Sequence, residues 1–384
     1  MLLDLDANAT YTPSESLQEL VRVSLSRLGN PSSIHRGGQR AKAAIEEARE
    51  HVRALVGARP KDLVVFTSGA TEANNTVINS AATPGARVVS SSIEHPCILE
   101  PLRRASCSGV MLRLAQPNLQ GEVTPAAVAA QVDQTTALVS VMAANNETGV
   151  VNDITTIANE TRRIAPSALI HTDAAQVIGK IPFQFDRSGL DLLTLSGHKL
   201  GALTGVGALV IREGVQVSPL LVGGPQESKL RGGTENVLGI ITLGATAQEI
   251  LKQGQGRGRA MRRVRDRFES ELIAALPGCA VNGSQVTRLP NTSNVYIPGI
   301  RADDLVVALD LEGIFISSGA ACSSGKPEPS HVLLAMEQSD DRVRATVRIS
   351  FRAEHGSDDC YAAVARNAVE KVQTIVERMR RYDE

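Results

Sequence analysis

The sequence predicts an α/β protein, with a large domain on a mostly parallel sheet followed by a smaller α+β domain. Three observations carry this expectation. From about Ser14 to Leu251, short apolar runs alternate with segments of helical periodicity, the pattern of strands joined by crossover helices. Trp is absent and aromatic residues make up 3% of the chain, so the cores are built from Ala, Val, Leu and Ile, which suits a parallel sheet covered by helices. The composition then shifts at the glycine-rich stretch 252–258, which reads as a joint between domains. With 384 residues the chain is long enough for two sizeable cores.

The expected strands follow from strand-length apolar runs: 63–66, 86–90, 137–142, 168–171, 190–195 and 207–211. Segments 39–56 and 125–132 read as helices between them. These elements define an expected large domain of residues 14–251. The small domain is expected to comprise residues 1–13 and 252–384. In it, Arg259, Arg262, Arg263, Arg265 and Arg267 mark a charged helix with a solvated face. Strands are expected at 292–297 and 347–351. Ala365, Ala368, Val369, Val372, Ile375, Val376 and Met379 recur at helical spacing and predict one buried face of a terminal helix.

Hydrophobic residues make up 42% of the chain, charged residues 21%, and the formal net charge is −1. No global field draws it to nucleic acid or an anionic membrane, so tight direct nucleic-acid binding is not expected. No apolar run approaches the ~20 residues of a membrane span. The five cysteines are odd in number and contain no CxxC pair, which suggests neither a disulfide framework nor a zinc site. With acidic residues at the N-terminus instead of a signal-peptide pattern, a cytoplasmic location is expected.

Two stretches carry the chemistry. Ser196-Gly197-His198-Lys199 sets a lysine just after a buried apolar run. A lysine there can capture an aldehyde cofactor as a Schiff base, although a lysine at a strand end is commonly a surface residue. Ser317 to Gly325 sets Cys322 among small, flexible residues. A cysteine on such a loop can be carried to a cofactor and away again; its ordinary alternative is a small buried hydrophobe. Chemistry that needs both groups is narrow, and sulfur removal from an amino acid leads it. Upstream, Phe66 to Ala73 follows a strand and opens a helix, whose free N–H groups suit a phosphate, as they would any strand-to-helix turn. Asp173 ends another strand, where a carboxylate can hold a pyridine nitrogen protonated or merely cap the next helix.

The motifs Phe66 to Asn75, Asn145-Asn146-Glu147-Thr148-Gly149, Asp173-Ala174-Ala175-Gln176, Ser196 to Lys199, Arg231 to Asn236 and Ser317 to Ser324 together resemble the pyridoxal-phosphate cysteine desulfurases of the NifS/IscS type, in the class V aminotransferase family. The likeness runs in order from Asp6 to about Arg348. It implies the fold-type I transferase architecture, a homodimer and pyridoxal 5'-phosphate as cofactor. By that resemblance Lys199 is the Schiff-base lysine, Asp173 the partner of the pyridine nitrogen and Gln176 the partner of the ring hydroxyl. Ala70, Thr71, Ser196 and His198 match the phosphate cup, with Thr234 supplied by the other subunit. His95 matches the histidine stacked on the ring. Asn146, counted also among the cofactor contacts, and Arg348 match the groups that hold the substrate carboxylate. Cys322 matches the persulfide-forming cysteine, and its loop length resembles the long-loop branch. Cys97, Cys107, Cys279 and Cys360 read as structural. No metal is implied.

The expected reaction converts L-cysteine to L-alanine and leaves a persulfide on Cys322 for a sulfur-acceptor protein. Selenocysteine lyase is the enzymatic alternative, and a catalytically silent adaptor the non-enzymatic one. Three departures from the family pattern concern the acceptor. Ser228-Lys229 stands where Arg-Gly is usual, Ile349 to Ala353 replaces the common Phe-Ser-Leu-Gly-Arg, and the C-terminus is short. They suggest an acceptor other than an iron–sulfur scaffold, such as a partner that thiolates tRNA or places sulfur in the DNA backbone.

Overall fold

Each long apolar run becomes a strand of one seven-stranded sheet. The computed structural model describes residues 2–25, 29–318, 329–353 and 358–382. Across the sheet the strands run Leu63–Thr67, Gly207–Ile211, Leu192–Ser196, Leu169–Asp173, Thr136–Ser140, Arg87–Ser91 and Met111–Ala115. Gly207–Ile211 is antiparallel to both its neighbours; the other pairings are parallel. Leu192–Ser196 and Gly207–Ile211 are buried throughout, which is why they read as mainly apolar runs without strict alternation. The sequence reading omits Met111–Ala115. That strand lies at the sheet edge with Met111 exposed and Arg113 facing out, so it lacks the run of a strand covered on both faces.

Helices cover both faces of the sheet. Helix Arg36–Val56 packs on Val237–Gln253 over one face, in a core that includes Ile45, Val52, Leu193, Leu195 and Leu243. The other face packs on helices Ala70–Ala81 and Pro96–Ser106 through Val77, Ile98, Leu102 and Leu209. A separate core gathers Phe268, Val347, Ile349 and the predicted apolar face of the terminal helix, Ala365 to Val376. Leu5 belongs to it as well, because Leu3–Asp4 pairs in parallel with Ile314–Phe315. The four-stranded sheet beneath it runs Ser317–Ser318, Thr346–Ser350, Thr292–Tyr296 and Ala280–Val281, all antiparallel.

The glycine-rich joint is sharper than its composition suggests. Helix Val237–Gln253 ends at Gly254 (φ 53°), and the next helix, Gln255–Ala275, starts at once. Gly258 lies inside that second helix; a Cβ there would come within 2.7 Å of the Lys180 carbonyl oxygen. The charged helix also departs from a wholly solvated face: Arg265 is buried and donates to the Leu289 carbonyl at 2.5 Å. Among the described residues, no helix is long and apolar enough to cross a membrane.

His171, inside the sheet, makes a stability prediction. Its ring nitrogens contact Ser140 Oγ at 2.9 Å and Thr194 Oγ1 at 3.1 Å. Burial depresses its pKa from 6.5 to about 3. Between those values the unfolded chain binds a proton that the folded chain does not, so this contribution is intact above about pH 6.5 and declines toward pH 3. His171→Gln is expected to flatten the fall in denaturation midpoint across that window. An unchanged slope counts against it.

Candidate active site

The carboxyl ends of the parallel strands open on one side of the sheet, the position where α/β folds bind ligands. Asp173 closes Leu169–Asp173, and Lys199 follows Leu192–Ser196 in a short 3₁₀ turn. His95 follows Arg87–Ser91 as the N-cap of Pro96–Ser106, its Nδ1 accepting the Cys97 N–H. Ala70 and Thr71 form the first turn of Ala70–Ala81, which has no side-chain cap, so its N–H groups can bind an anion. A Cβ on Gly207 would meet Gly69 at 2.7 Å. Glycine therefore lets the antiparallel strand pass directly behind this turn.

Lys199 Nζ donates to the backbone carbonyls of Asn8 at 2.7 Å and Ala9 at 2.8 Å. The Asp173 carboxylate accepts the Ala175 N–H at 2.9 Å and the Asn74 side-chain N–H at 2.7 Å. Burial, aided by Lys199 and His331, lowers the pKa of His95 against the pull of Asp173. His198 contacts Thr10 Oγ1 through Nδ1 at 3.2 Å; burial and then Lys199 bring its pKa down to about 4. Both rings are therefore neutral near pH 7.

Gln176 donates through Nε2 to the Asn8 carbonyl at 3.2 Å, beside Lys199. Arg348 is buried; it donates to Asp6 Oδ1 at 2.7 Å, Ser317 Oγ at 2.9 Å and the Asn146 carbonyl at 3.2 Å. Its Nε has no partner among the described residues, an opening for a substrate carboxylate. Ser196 is buried at its strand end, while Thr234 is exposed on the loop before Val237–Gln253. That loop is tied to the first turn of Ala70–Ala81 by Arg231, whose Nε donates to Glu72 Oε1 at 3.1 Å.

Cys322 lies outside the described residues, but both flanks of its segment are anchored. On one side Ser317 Oγ donates to Asp6 Oδ2 at 2.7 Å and accepts from Arg348. On the other, Ser330 Oγ donates to Glu147 Oε2, and His331 Nε2 contacts the Glu94 carbonyl at 3.0 Å. The described residues that flank the segment therefore lie against Arg348 on one side and against the Glu94 backbone, next to His95, on the other.

Several site groups escape the sequence reading. Cys97, set aside there as structural, has its Sγ 2.9 Å from His95 Nδ1 and 3.8 Å from Asp173 Oδ2. Burial pushes this thiol's pKa well up, so it remains protonated. Glu94 accepts from Ser91 Oγ at 2.5 Å and the Met142 N–H at 2.8 Å; burial raises its pKa to about 8. Position two after His95 was a local signal for Cys97. Asn8 lies in the first matched stretch, Asp6 to Thr10, with no role assigned there; it is fully buried and touches Lys180, Lys199 and Asn291.

The departures from the family pattern have structural counterparts. Glu227, Ser228 and Lys229 all have positive φ. Buried Glu227 holds that turn by pairing with Arg49 at 2.8 Å and accepting the Phe66 N–H at 2.7 Å. Arg352 pairs with Asp4, and the Ala353 N–H donates to the Tyr11 hydroxyl at 2.8 Å. Both contacts tie the N-terminal segment down.

The sheet order, its one antiparallel strand, and a lysine and an aspartate at adjacent strand ends define the fold-type I architecture. The sequence profile described as aminotransferase class-V matches residues 2–361, and the chain belongs to that family. It is 39% identical to a protein named cysteine desulfurase from Nostoc sp., over 98% of this chain and 93% of the relative. A solved structure named NifS-like protein superposes with a TM-score of 0.89 at 30% identity, covering 98% of this chain and 100% of that one. Another, named SspA in complex with cysteine, superposes with a TM-score of 0.80 at 29% identity, covering 92% and 99%.

Proposed function

We propose that this protein is a cysteine desulfurase that uses pyridoxal 5'-phosphate to convert L-cysteine to L-alanine and collects the sulfur as a persulfide on Cys322. One observation carries the reading. Lys199, Asp173 and His95 converge in one pocket, and both flanks of the Cys322 segment are anchored at its edge. The donor set fits the cofactor. An amine, a buried carboxylate and an uncapped helix N-terminus answer its aldehyde, ring nitrogen and phosphate, and Asn74 Oδ1 is a buried acceptor without a partner among the described residues.

When bound, pyridoxal phosphate supplies an aldehyde that captures the amine and a ring that takes up the electron pair released at Cα. Lys199 would hold the cofactor's aldehyde carbon and would move the Cα proton. Asp173 would keep the ring nitrogen protonated. Ala70, Thr71, Ser196 and His198 would hold the phosphate, and Gln176 the ring oxygen. Asn146 and Arg348 orient the cysteine carboxylate. The Cys322 thiolate attacks the substrate sulfur, so an S–S bond forms as the C–S bond breaks. The carbon keeps the electron pair and is protonated to alanine, with His95 as the proton carrier. The net change is L-cysteine plus Cys322 thiol giving L-alanine plus Cys322 persulfide. Purified enzyme given L-cysteine should yield alanine and a Cys322 persulfide. Activity confined to selenocysteine favours the lyase, and colourless, inert protein favours a silent adaptor.

Arg348→Ala is expected to weaken cysteine binding by about 2–5 kcal/mol while leaving cofactor binding close to wild type. Unchanged affinity removes Arg348 from the substrate site. We assign residues 14–251 to the cofactor-binding domain, and residues 1–13 with 252–384 to the domain that carries Cys322. The exposed side chains of Leu220, Leu221 and Val222, beside the Thr234 loop, support a homodimer in which Thr234 reaches the partner's phosphate. A fully active monomer in light scattering contradicts this. The receiving protein is inferred to be a nucleic-acid-modifying partner. Transfer of labelled sulfur only to an iron–sulfur scaffold would overturn that inference and leave the desulfurase reading intact. The protein acts in solution, in the cytoplasm, without binding nucleic acid tightly itself.

A further inference from the structure

We propose that Lys180 is a positioning residue that locks the Gln176 side-chain amide, so that Gln176 meets the cofactor's ring oxygen only as a hydrogen-bond donor. The inference rests on the cofactor reading above. Lys180 is buried, and its Nζ lies 2.7 Å from Gln176 Oε1 and 2.7 Å from Asn8 Oδ1. Gln176 is buried too, with Nε2 3.2 Å from the Asn8 backbone carbonyl.

An amide can be turned end for end, and its orientation follows from its neighbours. Here both neighbours demand the same one. Lys180 is positioned to donate, so the end of the amide facing it is the oxygen. The Asn8 carbonyl only accepts, so the end facing it is the nitrogen. Turning the amide over would lose both bonds in a buried site.

The geometry also sets where the nitrogen lies. Gln176 Nε2 and Lys199 Nζ donate to the same Asn8 oxygen. The two nitrogens therefore share one acceptor, and the lock holds the second Nε2 hydrogen toward a group captured by Lys199. An N–H there stabilises a ring oxygen that carries negative charge and would repel nothing on a donor-free carbon. Lys180 keeps its role in either protonation state. Burial, reinforced by Lys199, Arg348 and Arg257, drives its pKa well down, and a neutral amine still donates two N–H groups to its two oxygen partners.

Asn8 is the second member of the lock. Its Oδ1 accepts from Lys180 and from Asn291 Nδ2 at 3.0 Å, and its Nδ2 donates to Thr292 Oγ1 at 2.9 Å. The amide of Gln176 is thereby referenced to strand Thr292–Tyr296 in the other sheet, and not only to its own loop.

The test measures binding of pyridoxal phosphate and its 3-deoxy analogue, which lacks the ring oxygen, to the apoproteins by equilibrium dialysis. Wild type is expected to prefer pyridoxal phosphate roughly tenfold or more. Lys180→Met should erase most of that preference, Lys180→Arg should restore much of it, and Lys180→Met combined with Gln176→Leu should match Gln176→Leu alone. Gln176→Glu, which leaves Lys180 in place, should invert the preference because a carboxylate oxygen then faces the ring oxygen; this arm serves even if Lys180→Met does not fold. A wild-type preference retained in Lys180→Met or in Gln176→Glu overturns the lock. Absence of any preference in wild type, or no binding of the cofactor at Lys199, overturns the cofactor contact and the lock together.

Discussion

Lys199→Ala is expected to reduce alanine formation by at least about 10²–10⁴-fold, the range for losing a positioned general base. Loss of the covalent hold on the cofactor adds to this. In wild type, borohydride should fix the cofactor to Lys199, and peptide mass spectrometry should find the adduct there. The physical reason lies in the surroundings of Nζ. Two backbone carbonyls, of Asn8 and Ala9, hold it at the strand ends beside His95 and Asp173. Leaving the cofactor therefore does not strand the amine without partners. An adduct on another lysine, or turnover close to wild type in the variant, would falsify the assignment.

Cys322→Ser should retain the visible colour of the bound cofactor and still bind cysteine, while persulfide formation falls to background. A serine hydroxyl remains protonated and is a far weaker nucleophile than a thiolate. The cofactor and substrate groups, Lys199, Asp173 and Arg348, are on the sheet ends and strand Thr346–Ser350, not on the segment that carries Cys322, so their binding should be spared. The measurement pairs alanine release with labelled persulfide in the presence of reductant. Alanine production at the wild-type rate would show that another group takes the sulfur. Cys97 is the control: its Sγ is buried against His95 and its thiol is held protonated, so Cys97→Ser should still load label on Cys322.

The two largest effects fall on residues that local sequence already marked. Lys199 follows a mainly apolar run, and Cys322 sits in a run of Ser, Gly and Ala. Both patterns are local, and burial on both faces of a parallel strand leaves a continuous apolar signature. The strand Met111–Ala115 has one exposed side, and it went unread for that reason. The sharp break at Gly254 was blurred by two further glycines, one of which, Gly258, serves close packing against Lys180 and not a turn.

By itself, the sequence determined six of the seven strands of the large sheet, the apolar face of the terminal helix, and which residue types stand at the strand ends. Those features depend on neighbours a few positions away. Tertiary structure alone decided what each polar group touches. Asn8 bonds to Lys180 and Asn291, hundreds of positions away in the latter case. Arg348 meets Asp6 from the opposite end of the chain, and Cys97 meets Asp173 across two strands. A buried polar group must find a partner wherever folding brings one. The orientation of the Gln176 amide and the depressed or raised pKa values of His95, Glu94 and Lys180 are therefore properties of the assembled pocket, set by burial and by charges that no local pattern lists.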